Sequence, residues 1–146
     1  TPLDSFSATA PYGHIEQPFP ISDLAIAAGA AFVARGTVYH VTQLDKLIEQ
    51  AIRKRGFAVV EAVSYCHTTF GRANKLKSPV DMMRQLRENS ITVQAAAKAD
   101  DGDGKIVRGI FHDEEKPEFT ELYDQVIEQA HGPLPARKRK VRRGWL

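Results

Sequence analysis

Two short apolar runs, Ala31–Gly36 and Phe57–Val63, flank a helix-forming stretch, and this spacing constrains the fold more than any other feature. Between the runs, Leu44, Leu47, Ile48, Ala51 and Ile52 recur at helical period, Thr42 offers an N-cap, and Gly56 ends the segment. An apolar strand with no alternation is a strand covered on both faces. Strand, helix and strand at these lengths therefore predict a parallel βαβ unit inside an α/β, mostly parallel sheet flanked by helices.

The rest of the chain can be read around that unit. Residues 1–20 are an extended loop punctuated by Pro2, Pro11, Pro18 and Pro20. Ser22 suggests the cap of a short helix that Gly29 ends. A loop runs from Ser64 to Lys77, after which Pro79 opens a helix through Met82, Met83 and Leu86. Ile91–Ala99 reads as a further short helix, Asp100–Gly104 as a polar turn and Lys105–His112 as a strand. Pro117 starts a last helix on which Phe119, Leu122, Tyr123, Val126 and Ile127 share a face. Residues 1–132 are expected to form one domain and residues 133–146 a disordered basic tail.

Charge is unevenly placed. Residues 137–143 hold six of the 20 Lys and Arg and no acid, which leaves 14 bases against 18 acids in the body. A like-charge block is ordinarily a solvated terminus. Phosphate or nucleic-acid contact is the sharper reading, but no interleaved aromatics support it beyond Trp145. No apolar run is long enough to span a membrane. A single cysteine excludes an internal disulfide and fits a reducing, cytoplasmic setting.

That cysteine, Cys66, follows the second apolar strand, where sites in open α/β sheets are commonly built. By composition alone it reads as a packing residue, because free cysteine behaves as a small hydrophobe. Cys66 with His67 is a poor nucleophile–base pair, since neighbours on an extended chain point oppositely. A cluster site would need thiolates from outside this chain. Asp101–Gly104 contains Gly-Asp-Gly but follows a helix and has no asparagine after it, so it reads as a solvent turn, not a Mg²⁺ site. His14, His40, His112 and His131 show no ligand spacing.

Taken together, Thr1-Pro2, Thr9–Phe19, Leu24-Ala25, Ala28–Arg35, Gly56-Phe57, Val60-Glu61, the Cys66 loop with Thr68 and Phe70–Arg72, Leu86–Ser90 and Gly109–His112 form one pattern. It resembles the C-terminal part of the thiamine-diphosphate-binding β subunit of 2-oxoacid:ferredoxin oxidoreductases, of the 2-oxoglutarate type, over roughly residues 1–130. The resemblance implies the C-terminal part of a thiamine-diphosphate-binding fold. It implies that Cys66 is the fourth ligand of a [4Fe–4S] cluster, with three cysteines supplied from the front of the subunit. The family commonly has proline before this cysteine, where Tyr65 stands here.

For the intact enzyme the resemblance implies thiamine diphosphate, Mg²⁺ and the cluster as cofactors, and an α subunit, ferredoxin, coenzyme A and a 2-oxoacid as partners. The diphosphate motif would lie ahead of Thr1, so the fragment alone is expected to bind none of these cofactors and to be inactive. No catalytic or thiamine-contacting residue is assigned within it. Two other classes stay open on the residues themselves: a non-catalytic α/β binding module whose basic tail contacts phosphate, and a cysteine enzyme using Cys66.

Overall fold

The structure, a computed structural model, describes residues 2–76, 78–98 and 104–133. The basic tail, Trp145 and Asp101–Asp103 lie outside the described residues. The chain divides into two units, Thr1–Lys116 and Pro117–Leu146.

In the first unit, β1 (Phe32–Thr37), β2 (Ala58–Val63), β3 (Ser90–Thr92) and β4 (Ile106–Asp113) form one sheet in the order β2-β1-β4-β3. The anticipated βαβ unit is present. β1 pairs in parallel with β2 from Phe32↔Ala58 to Thr37↔Val63, and α2 (Val41–Arg53) makes the crossover. β3 and β4 also pair in parallel, whereas β1 and β4 are antiparallel. Two of the three pairings are thus parallel. The register of β4 slips between Val33 and Ala34, which leaves Phe111 as the extra residue of a bulge. Its ring lies under the Arg35 guanidinium, 5.1 Å from its centre.

The two sheet faces follow from the period of two along β1. Phe32 and Ala34 pack with Leu47 of α2, joined by Ala51, Ala58 and Val60. Val33 on the opposite face packs with Ala25 and Ala30, joined by Ile26, Val59 and Phe111. That face is covered by α1 (Ile21–Ala27). Burial on both sides explains why the strand reads as an unbroken apolar run. Gly36 lets α2 approach closely, since a Cβ there would lie 2.9 Å from Leu44 Cδ1.

Several local expectations are corrected. Ser22 does not cap α1 but lies inside it, buried, and donates its hydroxyl to Glu61 at 3.0 Å. Thr42 lies inside α2, which begins one residue earlier, directly after a 3-10 turn (Val38–His40). Ser90–Thr92 is a strand, not helix, and only Val93–Ala96 forms a helical turn, α4, capped by Thr92. α3 (Pro79–Glu88) begins as expected, with Pro79 in its first turn and the Ser78 hydroxyl accepting from the Val80 N–H at 3.2 Å.

The N-terminal segment is tied to itself rather than fully extended. The Asp4 N–H donates to the His14 carbonyl at 2.8 Å, the His14 N–H to the Ser5 carbonyl at 2.9 Å, and Ser7 bridges Ala10. In the second unit, α5 (Phe119–His131) opens with a capping box. Glu118 accepts from Thr120, and Glu121 reaches back to the Glu118 N–H. The rings of Phe119 and Tyr123 stack 5.8 Å apart.

Candidate functional site

β2 ends at Val63, and three residues later the chain turns sharply at Cys66. Cys66 itself is extended, and the five residues His67–Gly71 coil as a single π-helical turn. The Gly71 N–H closes that turn on the Cys66 carbonyl at 2.8 Å. Isolated π turns often coincide with functional positions, because the wide turn re-aims a side chain. Glycine suits position 71, where a Cβ would sit tightly, 3.0 Å from Met82 Sδ and 3.3 Å from the Leu76 carbonyl. The turn is thereby seated on α3.

The exit from this turn is also specified. The Leu76 N–H donates to the Gly71 carbonyl at 2.7 Å and the Lys75 N–H to the Arg72 carbonyl at 3.4 Å. This nested pair is a Schellman cap, whose left-handed position usually belongs to glycine. Here Lys75 occupies it with φ 58°. Asn74, just before it, holds the N-terminal loop. Its Nδ2 donates to the carbonyls of Phe6 and Phe70, both at 2.9 Å, and its Oδ1 accepts the Phe6 N–H at 2.8 Å.

Within the turn, donors converge on sulfur. The Thr69 N–H points at Cys66 Sγ at 3.4 Å, and Thr68 Oγ1 lies at the same distance. The thiol's pKa falls from 9.0 to about 6. The Thr68 hydroxyl contributes most, followed by the backbone N–H groups of Thr69 and Phe70 and the Thr69 hydroxyl, against a small opposing effect of desolvation. Donors aimed at the charged form favour it, so the exposed Cys66 is largely thiolate at neutral pH. His67 is not among the groups that lower it. The activation comes from neutral donors and not from a paired base, and a thiolate held this way can ligate a metal or act as a nucleophile.

Beside Cys66 lies a cavity of about 550 Å³. Its walls are largely apolar: Val63, Phe70, Leu76, Met82, Leu86 and Ile106 contribute, and Gly104 of the polar turn reaches its rim. Among the described residues no three His, Cys, Asp or Glu side chains are grouped to hold a metal. A cluster here would take one thiolate from this chain, and Mg²⁺ finds no ligand set among them. The histidines are dispersed. His40 pairs with the Thr37 hydroxyl at 2.8 Å, and burial, then the charge of Arg108, lowers its pKa. His112 lies 3.4 Å from Glu114.

Two arrangements went unread in the sequence. One is the Asn74 tie. The other is a polar network on the α1 face, where Arg35 and Glu61 sit opposite each other across β1 and β2. Arg35 Nε donates to Glu61 Oε2 at 2.7 Å, and Ser22 of α1 joins both. Its signal was present: each strand carries a single charge in an otherwise apolar run.

The chain is similar to known proteins along nearly its whole length. The 2-oxoglutarate synthase subunit KorB of Methanothermobacter marburgensis is 43% identical over 144 residues, 97% of this chain and 50% of that protein. The KorB subunit of Methanocaldococcus jannaschii is 46% identical over 131 residues, 88% of this chain and 48% of that one. The chain is homologous to 2-oxoacid:ferredoxin oxidoreductase β subunits.

The chain spans about half the length of the curated relatives it matches. In Aeropyrum pernix, the β subunit of 2-oxoacid:ferredoxin oxidoreductase 2 is 51% identical over 45 residues, 31% of this chain and 15% of that one. A solved 2-oxoglutarate:ferredoxin oxidoreductase from Magnetococcus marinus, with 2-oxoglutarate, coenzyme A and succinyl-CoA bound, superposes with a TM-score of 0.70. That match covers 95% of this chain and 48% of that one at 22% identity, and it establishes the α/β fold. No family model matches the chain. No helix among the described residues is long and apolar enough to cross a membrane.

Proposed function

We propose that this chain is the C-terminal part of the β subunit of a 2-oxoglutarate:ferredoxin oxidoreductase, in which Cys66 is one thiolate ligand of a [4Fe–4S] cluster. The observation that carries the reading is the convergence of Thr68 and Thr69 donors on an exposed sulfur. Such donors suit cluster thiolates, because hydrogen bonds to sulfur tune the potential of the metal site. The remaining thiolates belong to other parts of the subunit, and a reducing, cytoplasmic setting keeps all of them free.

The whole enzyme would oxidatively decarboxylate 2-oxoglutarate, form an acyl-CoA and reduce ferredoxin, with an α subunit as partner. Thiamine diphosphate with Mg²⁺ would supply the carbanion stabilisation, and the cluster the one-electron chemistry. This chain's own residues do more limited work. Gly71 and Met82 seat the Cys66 turn, Thr68 and Thr69 keep its sulfur ionised, and an apolar cavity wall lies beside it.

Cys66→Ser in the full-length subunit tests the reading. Iron and acid-labile sulfide should fall and ferredoxin reduction should be lost, because a serine oxygen poorly replaces a soft thiolate. Thiamine diphosphate content should stay near stoichiometric. Retention of a complete, redox-active cluster would overturn the assignment. Loss of turnover with iron unchanged would instead favour a cysteine nucleophile.

A further inference from the structure

The segment that carries Cys66 is electrically unlike the rest of the domain. From Ala62 to Val80 there is no Asp or Glu, while Arg72, Lys75, Lys77 and His67 all fall within it. Elsewhere in the first unit, many cations are paired with acids. Arg35 pairs with Glu61, Arg53 with Glu49, Lys54 with Asp113 and Glu115, Arg84 with Asp81, Arg87 with Glu88, and Lys116 with Glu114. Among the described residues Arg72 and Lys75 have no such partner, as is also true of Lys46, Lys98 and Lys105, but Arg72 and Lys75 lie exposed within the acid-free segment.

These cations are held together. Arg72, Lys75, His67 and Leu76 line a shallow concavity of about 320 Å³. Leu76 also lines the cavity beside Cys66, so the basic concavity adjoins the cavity that the sulfur borders. Lys75 sits in a left-handed conformation where glycine would be at ease. A lysine in that conformation carries a backbone cost that a glycine would not.

We propose that the Arg72–Lys75 edge is the docking face for the acidic redox protein that accepts electrons from the Cys66 site. This rests on the cluster-ligand reading above and adds to it where the acceptor binds and by what force. The complementarity is directional: the body of the chain carries a net excess of acid, so an acidic partner is repelled elsewhere and steered to this edge. Docking makes and breaks no bond. The cluster that Cys66 would help to hold would be oxidised by one electron, and the acceptor's own metal centre reduced by one.

The test uses the assembled full-length enzyme with an acidic bacterial ferredoxin, and with methyl viologen as an acceptor that needs no docking face. The double variant Arg72→Glu/Lys75→Glu should raise the KM for ferredoxin about tenfold at low ionic strength, while 2-oxoacid-dependent viologen reduction stays within about twofold. The wild-type KM should rise with salt and the variant's should not, so the two converge at high ionic strength. Lys75→Gly removes one charge without strain and should raise the ferredoxin KM by an intermediate factor. Equal ferredoxin KM values for wild type and the double variant at low salt would overturn the proposal. So would viologen turnover lost in parallel, with Lys75→Gly still reducing ferredoxin like wild type, because charge would then not be what the acceptor reads. Failure of the underlying reading is separable: the Cys66→Ser enzyme would keep its iron, and the docking proposal would fall with it.

Discussion

Asn74 holds Phe6 by both of its backbone polar groups, its Oδ1 accepting the Phe6 N–H at 2.8 Å and its Nδ2 donating to the Phe6 carbonyl at 2.9 Å. An amide side chain thus does what a neighbouring strand would do. A second bond from Nδ2 to the Phe70 carbonyl fixes the same amide to the Cys66 turn. Two segments 68 residues apart are joined by one side chain.

Asn74→Ala removes all three bonds. At about 0.5–1.5 kcal/mol net for each, and with Phe6 near solvent, the loss in stability should be about 1–3 kcal/mol. The Phe6 amide should exchange with deuterium much faster, whereas the Val33 amide at the centre of the sheet should not. Asn74→Asp keeps the acceptor for the Phe6 N–H and loses both donors, so it should fall between. Unchanged exchange at Phe6 in the alanine variant would show that the loop is held by other contacts.

Gly36 tests the packing of the βαβ unit. A Cβ there meets Leu44 at 2.9 Å from Cδ1 and 3.2 Å from Cβ. Leu44 can yield at its tip but not at its root. Gly36→Ala should therefore cost about 1–3 kcal/mol by overpacking, read from urea denaturation. Adding Leu44→Ala should recover less than it relieves, since it opens a cavity next to Leu47. A neutral Gly36→Ala would mean that α2 can slide on β1.

Lys75 makes the opposite prediction. A residue with a Cβ in the left-handed region costs about 1–2 kcal/mol, and glycine's extra freedom in the unfolded chain offsets about 0.5–1 of it. Lys75→Gly should leave stability unchanged or raise it by up to about 1 kcal/mol. A clear loss of stability would indicate that the lysine side chain, and not its backbone geometry, anchors the cap.

The sequence made some of these features legible and hid others for physical reasons. β1 stood out because burial on both faces leaves an unbroken apolar run, β2 because its edge strand is apolar but for Glu61, and α2 because Leu44 and Leu47 recur at helical spacing. The start of α2 was misplaced, since Thr42 looks like a cap but a 3-10 turn already sets the chain in helical sense. β3 escaped because three residues, Ser90–Thr92, carry too little period to be told from helix. The antiparallel pairing of β4 depends on contacts more than 70 residues apart in sequence, as from Val33 to His112. Cys66 was visible as a residue and by resemblance, while the converging Thr68 and Thr69 donors exist only once the π turn has formed.

The thiol itself gives the sharpest readout. With no metal bound, Cys66 in this chain should react with iodoacetamide at a rate that rises with pH through a midpoint of about 6. An ordinary thiol would rise near 9.0, the value the same group has without its donors. Because the Thr68 hydroxyl is the largest cause, Thr68→Val should move the midpoint upward, and Thr69→Val, which keeps the backbone N–H, should move it less. The sign of the linked stability follows. The folded form holds its proton less tightly than the unfolded form, so the donors stabilise the fold fully above 9.0 and lose that contribution as pH falls through about 6. Cys66→Ser should flatten this part of the pH–stability curve. A wild-type alkylation midpoint at 8 or above would mean that the donors do not reach the sulfur in solution, and that the turn around Cys66 is not preorganised for a metal.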